Sequence, residues 1–387
     1  MKKTLFLTFT IIAALMLGLS SCVKDAKTDS SKGDNVLVIK LPKAATRAIE
    51  DQVAGGAIAD VDVISNVEIF LINTSSGAVV NQASFTSDEI KAGYKRIEQV
   101  DAAVSKVVAI ANIPNGVLAT VKALASYTAI KGYDFTSASQ NAGLGEIDDK
   151  TMMGEGTPVS ATDPDPAHDA THTYKEVNID LDAITARFEI GAVKPGVGVA
   201  SVELVGVWIN NFYTGSQKTT LQLYPAYDPM WNTTPSATPN YTAPVGAVSV
   251  ATYGYPEYYD AANNTAGTGV TLNASSKVYA YHVFPSSDLP HLILLVKGEY
   301  DDGYFDDTID PAEKYFLKWV TFTNYKENGV SIGQVSANYI YKVGVGATGI
   351  AINAGDLTET PELGQFDLGI NLTITPWTAK TVTPEVQ

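Results

Sequence analysis

VLVIKL, residues 36–41, is the stretch on which the reading of the fold turns. Side chains of an extended chain point alternately to opposite faces, so Leu37, Ile39 and Leu41 line one face of a strand. VEIFLIN (67–73) repeats the pattern, with Val67, Ile69 and Leu71 alternating with Glu68, Phe70 and Ile72. TSSGA (74–78) follows it with hairpin-like turn chemistry. Outward from these two segments, the spacing predicts strands at 107–113, 177–181, 186–190, 202–209, 278–284, 292–296, 315–321 and 339–345. A last alternation, Ile370, Leu372 and Ile374, stands just before Pro376 and Trp377. Helical signals are few, and 118–129 is the best of them. The polar stretch 132–173 and the Pro-, Asn-, Gly- and Tyr-rich stretch 224–269 read as long loops. The fold class expected is mainly β, with two packed sheets per domain burying the apolar faces.

A chain of 387 residues has room for roughly two domains of about 150 residues each. Its net charge of -16 argues against nucleic acid, whose phosphates need a positive surface. With 45% hydrophobic and 18% charged residues it is too apolar for a disordered chain. One cysteine allows no internal disulfide and no multi-thiolate zinc site. No GxSxG, HExxH, Walker or dinucleotide motif is present, so no catalytic residue, cofactor or metal is expected and the chain is not read as an enzyme. His168 and His172 fall in a Pro- and Asp-rich loop, whereas His282 sits in a strand and reads as structural. Asp301, Asp302, Asp306, Asp307 and Asp310 read as a solvated hairpin tip, with calcium the alternative. The rings at Tyr224, Tyr227, Trp231, Tyr241, Tyr253, Tyr255, Tyr258 and Tyr259 could stack on sugars or a partner, or pin long loops to a sheet.

The amino terminus reads as a leader. Lys2 and Lys3 precede an apolar run over 5–19, too short to span a membrane, which ends in LSSC. That ending resembles the bacterial lipobox, making 1–21 a signal peptide and Cys22 the acylated residue of a lipid-anchored chain. Residues 23–35, rich in Lys, Asp and Ser, then read as a tether.

Taken in order, LSSC, VLVIKL, Arg47, VEIFLIN, KVVAIANIP (106–114) and VNIDLDAITARFEIGAV (177–193) resemble the Bacteroidales fimbrillins, the major and minor subunits of surface fimbriae. The carboxyl half adds YHVFPSSDLPHLILLVKGEY, ANYIYKVGVGATGI and LGINLTITPW (368–377). Asp180 and Asp182 depart from the basic residues that the family carries in the transition block.

The resemblance implies two β-sandwich-like, transthyretin-like domains in tandem, at 48–178 and 179–387, after a lipidated propeptide at 22–47. It implies a structural subunit of a fimbrium that supports adhesion and polymerises by protease-triggered donor-strand exchange. An arginine-specific protease would cut between Arg47 and Ala48, releasing the strand that carries Leu37, Ile39 and Leu41. The donor tail would include Thr378, Val382 and Val386 of another subunit. Partners implied are other fimbrial subunits, the lipoprotein-processing machinery, the protease and a host protein or glycan. Membrane contact would come through the precursor's lipid anchor, at the outer membrane before processing and in the surface fimbrium after it. A tip or anchor subunit of the same fold, a surface glycan-binding lipoprotein and, disfavoured by the missing catalytic motifs, a secreted hydrolase are the alternatives. Processing would leave 18 basic and 39 acidic residues, a net charge of -21, so association would need a specific apolar groove.

Overall fold

The computed structural model describes residues 35–41, 64–141, 150–163, 173–219, 221–222, 279–304, 314–344, 349–359 and 369–376. Within them the chain is mainly β, as the alternation predicts. The first strands are β1 (Val36–Lys40), β2 (Val67–Asn73), β3 (Ala78–Ser84), β4 (Tyr94–Ile97), β5 (Lys106–Ala111), β6 (Met152–Gly156), β7 (Val159–Ser160), β8 (Tyr174–Asn178) and β9 (Asp182–Ala183). There follow β10 (Ala186–Ile190), β11 (Val193–Pro195), β12 (Val199–Asn210), β13 (Phe212–Tyr213), β14 (Leu221–Gln222) and β15 (Tyr279–Val283). The last are β16 (His291–Tyr300), β17 (Tyr315–Phe322), β18 (Asn324–Glu327), β19 (Val330–Ser331), β20 (Tyr339–Val343), β21 (Ile350–Ile352) and β22 (Gly369–Pro376).

Two sheets share the first core. One has the order β4-β1-β8-β7 and the other β3-β2-β5-β6-β9. Leu37, Ile39 and Leu41 meet Val67, Ile69, Leu71, Val107, Ala109 and Val177 in a single buried cluster. The reverse face of the five-stranded sheet, with Phe70, Ile72, Val108 and Ile110, is covered by Val121, Ile130 and Phe135 from the helical connection. A larger cluster lies between the β15-β10-β20-β22-β18-β19 sheet and the β12-β16-β17 sheet, including Phe188, Tyr281, Leu294, Val296, Phe316 and Tyr341. Two buried residues from later in the chain join the earlier cores: Ile340 of β20 packs with Leu37 and its neighbours, and Phe284, just past β15, packs with Phe70 and its neighbours. Asn338 ties the same seam, its amide donating to Asp182 at 2.7 Å and its backbone N–H to the Thr185 carbonyl at 2.9 Å.

Three local expectations are corrected. The helix expected over 118–129 is two short ones, Leu118–Lys122 and Tyr127–Lys131, because Ser126 is extended and its hydroxyl caps Ala129 N–H to start the second. The strand expected at 177–181 is β8, ending at Asn178. Past that point Ile179 N–H bonds the Lys40 carbonyl, and the chain crosses to β9 in the other sheet. The stretch 132–173, expected to be loop, contains a short helix (Ser137–Asn141) and both β6 and β7. β6 lies inside its sheet between β5 and β9, yet its sequence MMGEG shows no period-two pattern. The stretch 224–269, His168, His172, Asp306, Asp307 and Asp310 lie outside the described residues.

The glycines of β6 have a packing cause. A Cβ on Gly154 would lie 2.0 Å from the Asp180 carbonyl oxygen and 2.7 Å from an Ile179 methyl. A Cβ on Gly156 would lie 2.5 Å from a Val177 methyl. The chain leaving β8 therefore rests directly on the β6 backbone. Gly154→Ala must push that segment away, and we expect a loss of about 1–3 kcal/mol, the usual cost of overfilling a packed core. A denaturant titration checks this, and unchanged stability would show that the two sheets are not in contact there.

Candidate functional site

β1 forms neither edge of its sheet. It pairs antiparallel with β4, Val38 opposite Arg96 and Ile39 opposite Lys95, and parallel with β8, Val36 opposite Tyr174 and Ile39 opposite Val177. Backbone bonds extend the pairing at both ends. Val36 N–H donates to the Thr173 carbonyl at 2.8 Å, and Leu41 N–H to the Gly93 carbonyl at 2.9 Å. Asn35 and Val100 exchange bonds at 3.0 and 3.1 Å beyond the first residue.

Local chemistry holds the β4 wall in place. The helix Ser87–Ala92 begins in a capping box. Thr86 Oγ1 accepts from Glu89 N–H at 3.3 Å, and Glu89 Oε2 accepts from Thr86 N–H at 2.7 Å. The helix ends at Gly93, whose φ of 77° only glycine adopts freely, and the chain turns there into β4. Lys95 of β4 reaches back to both Glu89 oxygens at 2.8 and 2.9 Å. Burial pushes the Glu89 carboxyl up, but Lys95 and the Thr86 donors outweigh it and hold it below its usual range.

Both faces of β1 are buried. Leu37, Ile39 and Leu41 are 1%, 0% and 5% exposed in the shared core, while Val36 and Val38, 3% and 6% exposed, form a small outer cluster with Tyr174. Arg96 opposes Val38 from β4, yet its guanidinium lies 5.7 Å from the Tyr174 ring centroid on β8, the opposite flank. It is bidentate to Asp163 at 2.9 and 3.3 Å, while its Nε meets Glu98 at 2.5 Å. The Arg96 side chain thus crosses over β1 as a strap from one neighbouring strand to the other. Beside it, Lys40 donates to Glu176 Oε2 at 2.7 Å and the Tyr174 hydroxyl to Glu176 Oε1 at 3.0 Å. Burial, then the bond to Glu176, pushes the Tyr174 hydroxyl up to about 12, so it remains a donor at neutral pH.

Of the residues singled out from sequence, Leu37, Ile39 and Leu41 come together in the core. Cys22, Arg47, Ala48, Thr378, Val382 and Val386 lie outside the described residues. β1 is continuous in sequence with the body only through residues 42–63, the segment that contains Arg47. Sequence reasoning missed Arg96, Asp163, Tyr174 and Glu176. One signal was available: Val36 to Ile39 is apolar at both parities, the mark of a strand covered on both faces. His282 is fully buried, and burial, with Lys150 and Arg187 nearby, holds its pKa well below the usual value, so the ring is neutral. Among the described residues no cluster of three or more His, Cys, Asp or Glu could hold a metal ion, and no helix is long and apolar enough to cross a membrane.

No protein-family model matches the chain, and no curated protein does. Several solved structures are similar. A protein from Parabacteroides distasonis ATCC 8503, assigned provisionally to cell adhesion, is 11% identical, with 89% of this chain and 100% of that one covered and a TM-score of 0.48. A fimbrilin from Porphyromonas gingivalis W83 is 12% identical, covering 90% and 98% with a TM-score of 0.46. The tip fimbrial protein of Porphyromonas gingivalis, truncated at its carboxyl end, is 12% identical, covering 89% and 100% with a TM-score of 0.41.

Proposed function

We propose that this chain is a structural subunit of a cell-surface fimbrium that polymerises by strand exchange after cleavage between Arg47 and Ala48. The observation that carries the reading is β1, a strand buried on both faces and paired on both edges, with Arg47 in the 42–63 segment that joins it to the body. A cut there leaves β1 held by noncovalent contacts alone. Its departure would expose the Ile69 and Val177 side of the core and strip partners from the backbone of β4 and β8. Only another extended segment can restore both, as in β-augmentation. Each subunit that takes a strand and offers one then propagates an open, head-to-tail polymer.

The body comprises two sandwich-like units in tandem, 48–178 and 179–387, a reading supported by the change of partners from β10 onward, which pairs with β15 and β20. The precursor is anchored at the outer membrane through Cys22, and the donor is the tail after Trp377, with Thr378, Val382 and Val386 as its contacts. That tail follows directly on β22, whose Pro376 pairs with Tyr339.

The test uses purified, lipid-free precursor in three forms: wild type, Arg47→Ala and a deletion of residues 378–387. Each is treated with an arginine-specific protease and followed by electron microscopy and gel filtration. Wild type should form filaments, Arg47→Ala should stay monomeric, and the deletion should be cut without elongating. Filaments from Arg47→Ala would remove cleavage as the switch, and filaments from the deletion would remove the tail as donor.

A further inference from the structure

The outer face of β1 is charged in a way the exchange of one apolar strand for another does not require. Lys40 stands opposite Tyr94 and Asn178, yet its ammonium reaches one step along β8 to Glu176. Glu176 takes both its hydrogen bonds on this face, from Lys40 and from the Tyr174 hydroxyl. When β1 leaves, the cation leaves with it. Glu176, Asp163 and Glu98 then remain, and Arg96 already bonds the last two. A partly buried carboxylate left without its cation loses a charge-assisted bond that a new strand can restore. Arg96 adds a steric condition, because it stands opposite Val38 and its guanidinium lies 5.7 Å from the Tyr174 ring that packs with Val36 and Val38, so a larger side chain at Val38 would crowd that arrangement.

We propose that the slot selects its incoming strand by charge, Glu176 pairing with a cation at the position Lys40 fills, and that this cation is Lys380 of a second copy. The proposal rests on the strand-exchange reading above. The tail reads TAKTVTPEVQ over 378–387, with Lys380 and Val382 two residues apart, as Lys40 and Val38 are. Residues two apart share a strand face. A tail running opposite to β1 with Lys380 at the Lys40 position sets Val382 at the Val38 position under the strap. Ala379 and Thr381 then take the inward positions of Leu41 and Ile39. The inward fit is smaller than the one β1 makes, so the outward pair carries the register.

The test measures displacement of the leading strand from Arg47-cleaved protein lacking residues 378–387, by synthetic peptides of residues 378–387. The peptide carrying Lys380→Glu should displace it about threefold to fivefold less effectively than the native peptide, the upper part of the range for an exposed ion pair. The gap should narrow as salt is raised. In acceptor protein carrying Glu176→Gln the two peptides should differ by less than about twofold, while thermal unfolding of the uncut precursor confirms that this variant folds. Equal displacement by both peptides on unaltered acceptor, or an undiminished gap on Glu176→Gln, overturns the charge selection and leaves the exchange reading standing. If neither peptide displaces the strand, the donor-tail reading falls, and this proposal with it.

Discussion

Ile39→Ala should destabilise the uncut chain by about 2–5 kcal/mol and, after cleavage at Arg47, release the leading strand roughly 30-fold to several thousand-fold more readily. Ile39 of β1 is 0% exposed, in one buried cluster with Ile69 and Ala109 of the facing sheet and with Val177 opposite it on β8. Truncation removes apolar contact and leaves a cavity that a rigid, doubly covered strand fills poorly. Before cleavage the strand is tethered at high effective concentration, so the lost contacts appear only as reduced folding stability. After cleavage they appear mostly as a faster dissociation rate. Urea unfolding of the precursor and the half-life of strand retention by gel filtration of the cut protein measure the two quantities. Their agreement within about 1 kcal/mol would show that β1 binds the cut body through its precursor contacts. A cut Ile39→Ala protein that keeps its strand as long as wild type would contradict the slot geometry.

Arg187→Met should cost about 3–5 kcal/mol, whereas Arg187→Met combined with Glu189→Leu should cost far less. The Arg187 and Glu189 side chains are 3% and 0% exposed, and Nε meets Oε1 at 2.8 Å. Phe188 and Ile190 point into the larger core, so Arg187 and Glu189 occupy the reverse face of β10. Across that face Arg187 is opposite His282 and Ile340, and Ile340 packs into the first core. The pair thus sits at the seam where the later sheet meets the earlier one. Lys342, 3.6 Å from Glu189, offsets part of the charge but lies beyond hydrogen-bond length. Removing one partner leaves a buried charge, while removing both replaces it with packing. Unfolding titrations on the single and double variants read the difference, and an Arg187→Met protein as stable as wild type would show that the seam does not depend on the pair.

The seam and the slot meet at Ile340, which shares one buried cluster with Leu37, Ile39 and Leu41. Emptying the slot therefore uncovers a side chain that belongs to β20 of the second sheet system. Loosening at the seam should accompany loss of the leading strand, and the Arg187→Met titration can be repeated on cleaved protein to follow it.

What the sequence determined by itself is local. VLVIKL, VEIFLIN and ARFEI are strands at 36–40, 67–73 and 186–190 because alternation is written in successive Cβ directions, and each segment carries its own apolar face. The Thr74–Gly77 turn was legible for the same reason, with Gly77 at a φ of 72° where the chain reverses. MMGEG was not legible, because its glycines answer to Ile179 and Asp180, which arrive from another sheet. Nor does anything in VLVIKL say that it runs parallel to YKEVN, antiparallel to YKRI, or under an arginine from the latter. Those facts were decided by the tertiary structure alone. A strand's own pattern specifies which side chains must leave water, whereas its neighbours and their direction depend on backbone groups and side chains far along the chain. Arg96 and Asp163 are 67 residues apart and close over β1 only once three strands have assembled.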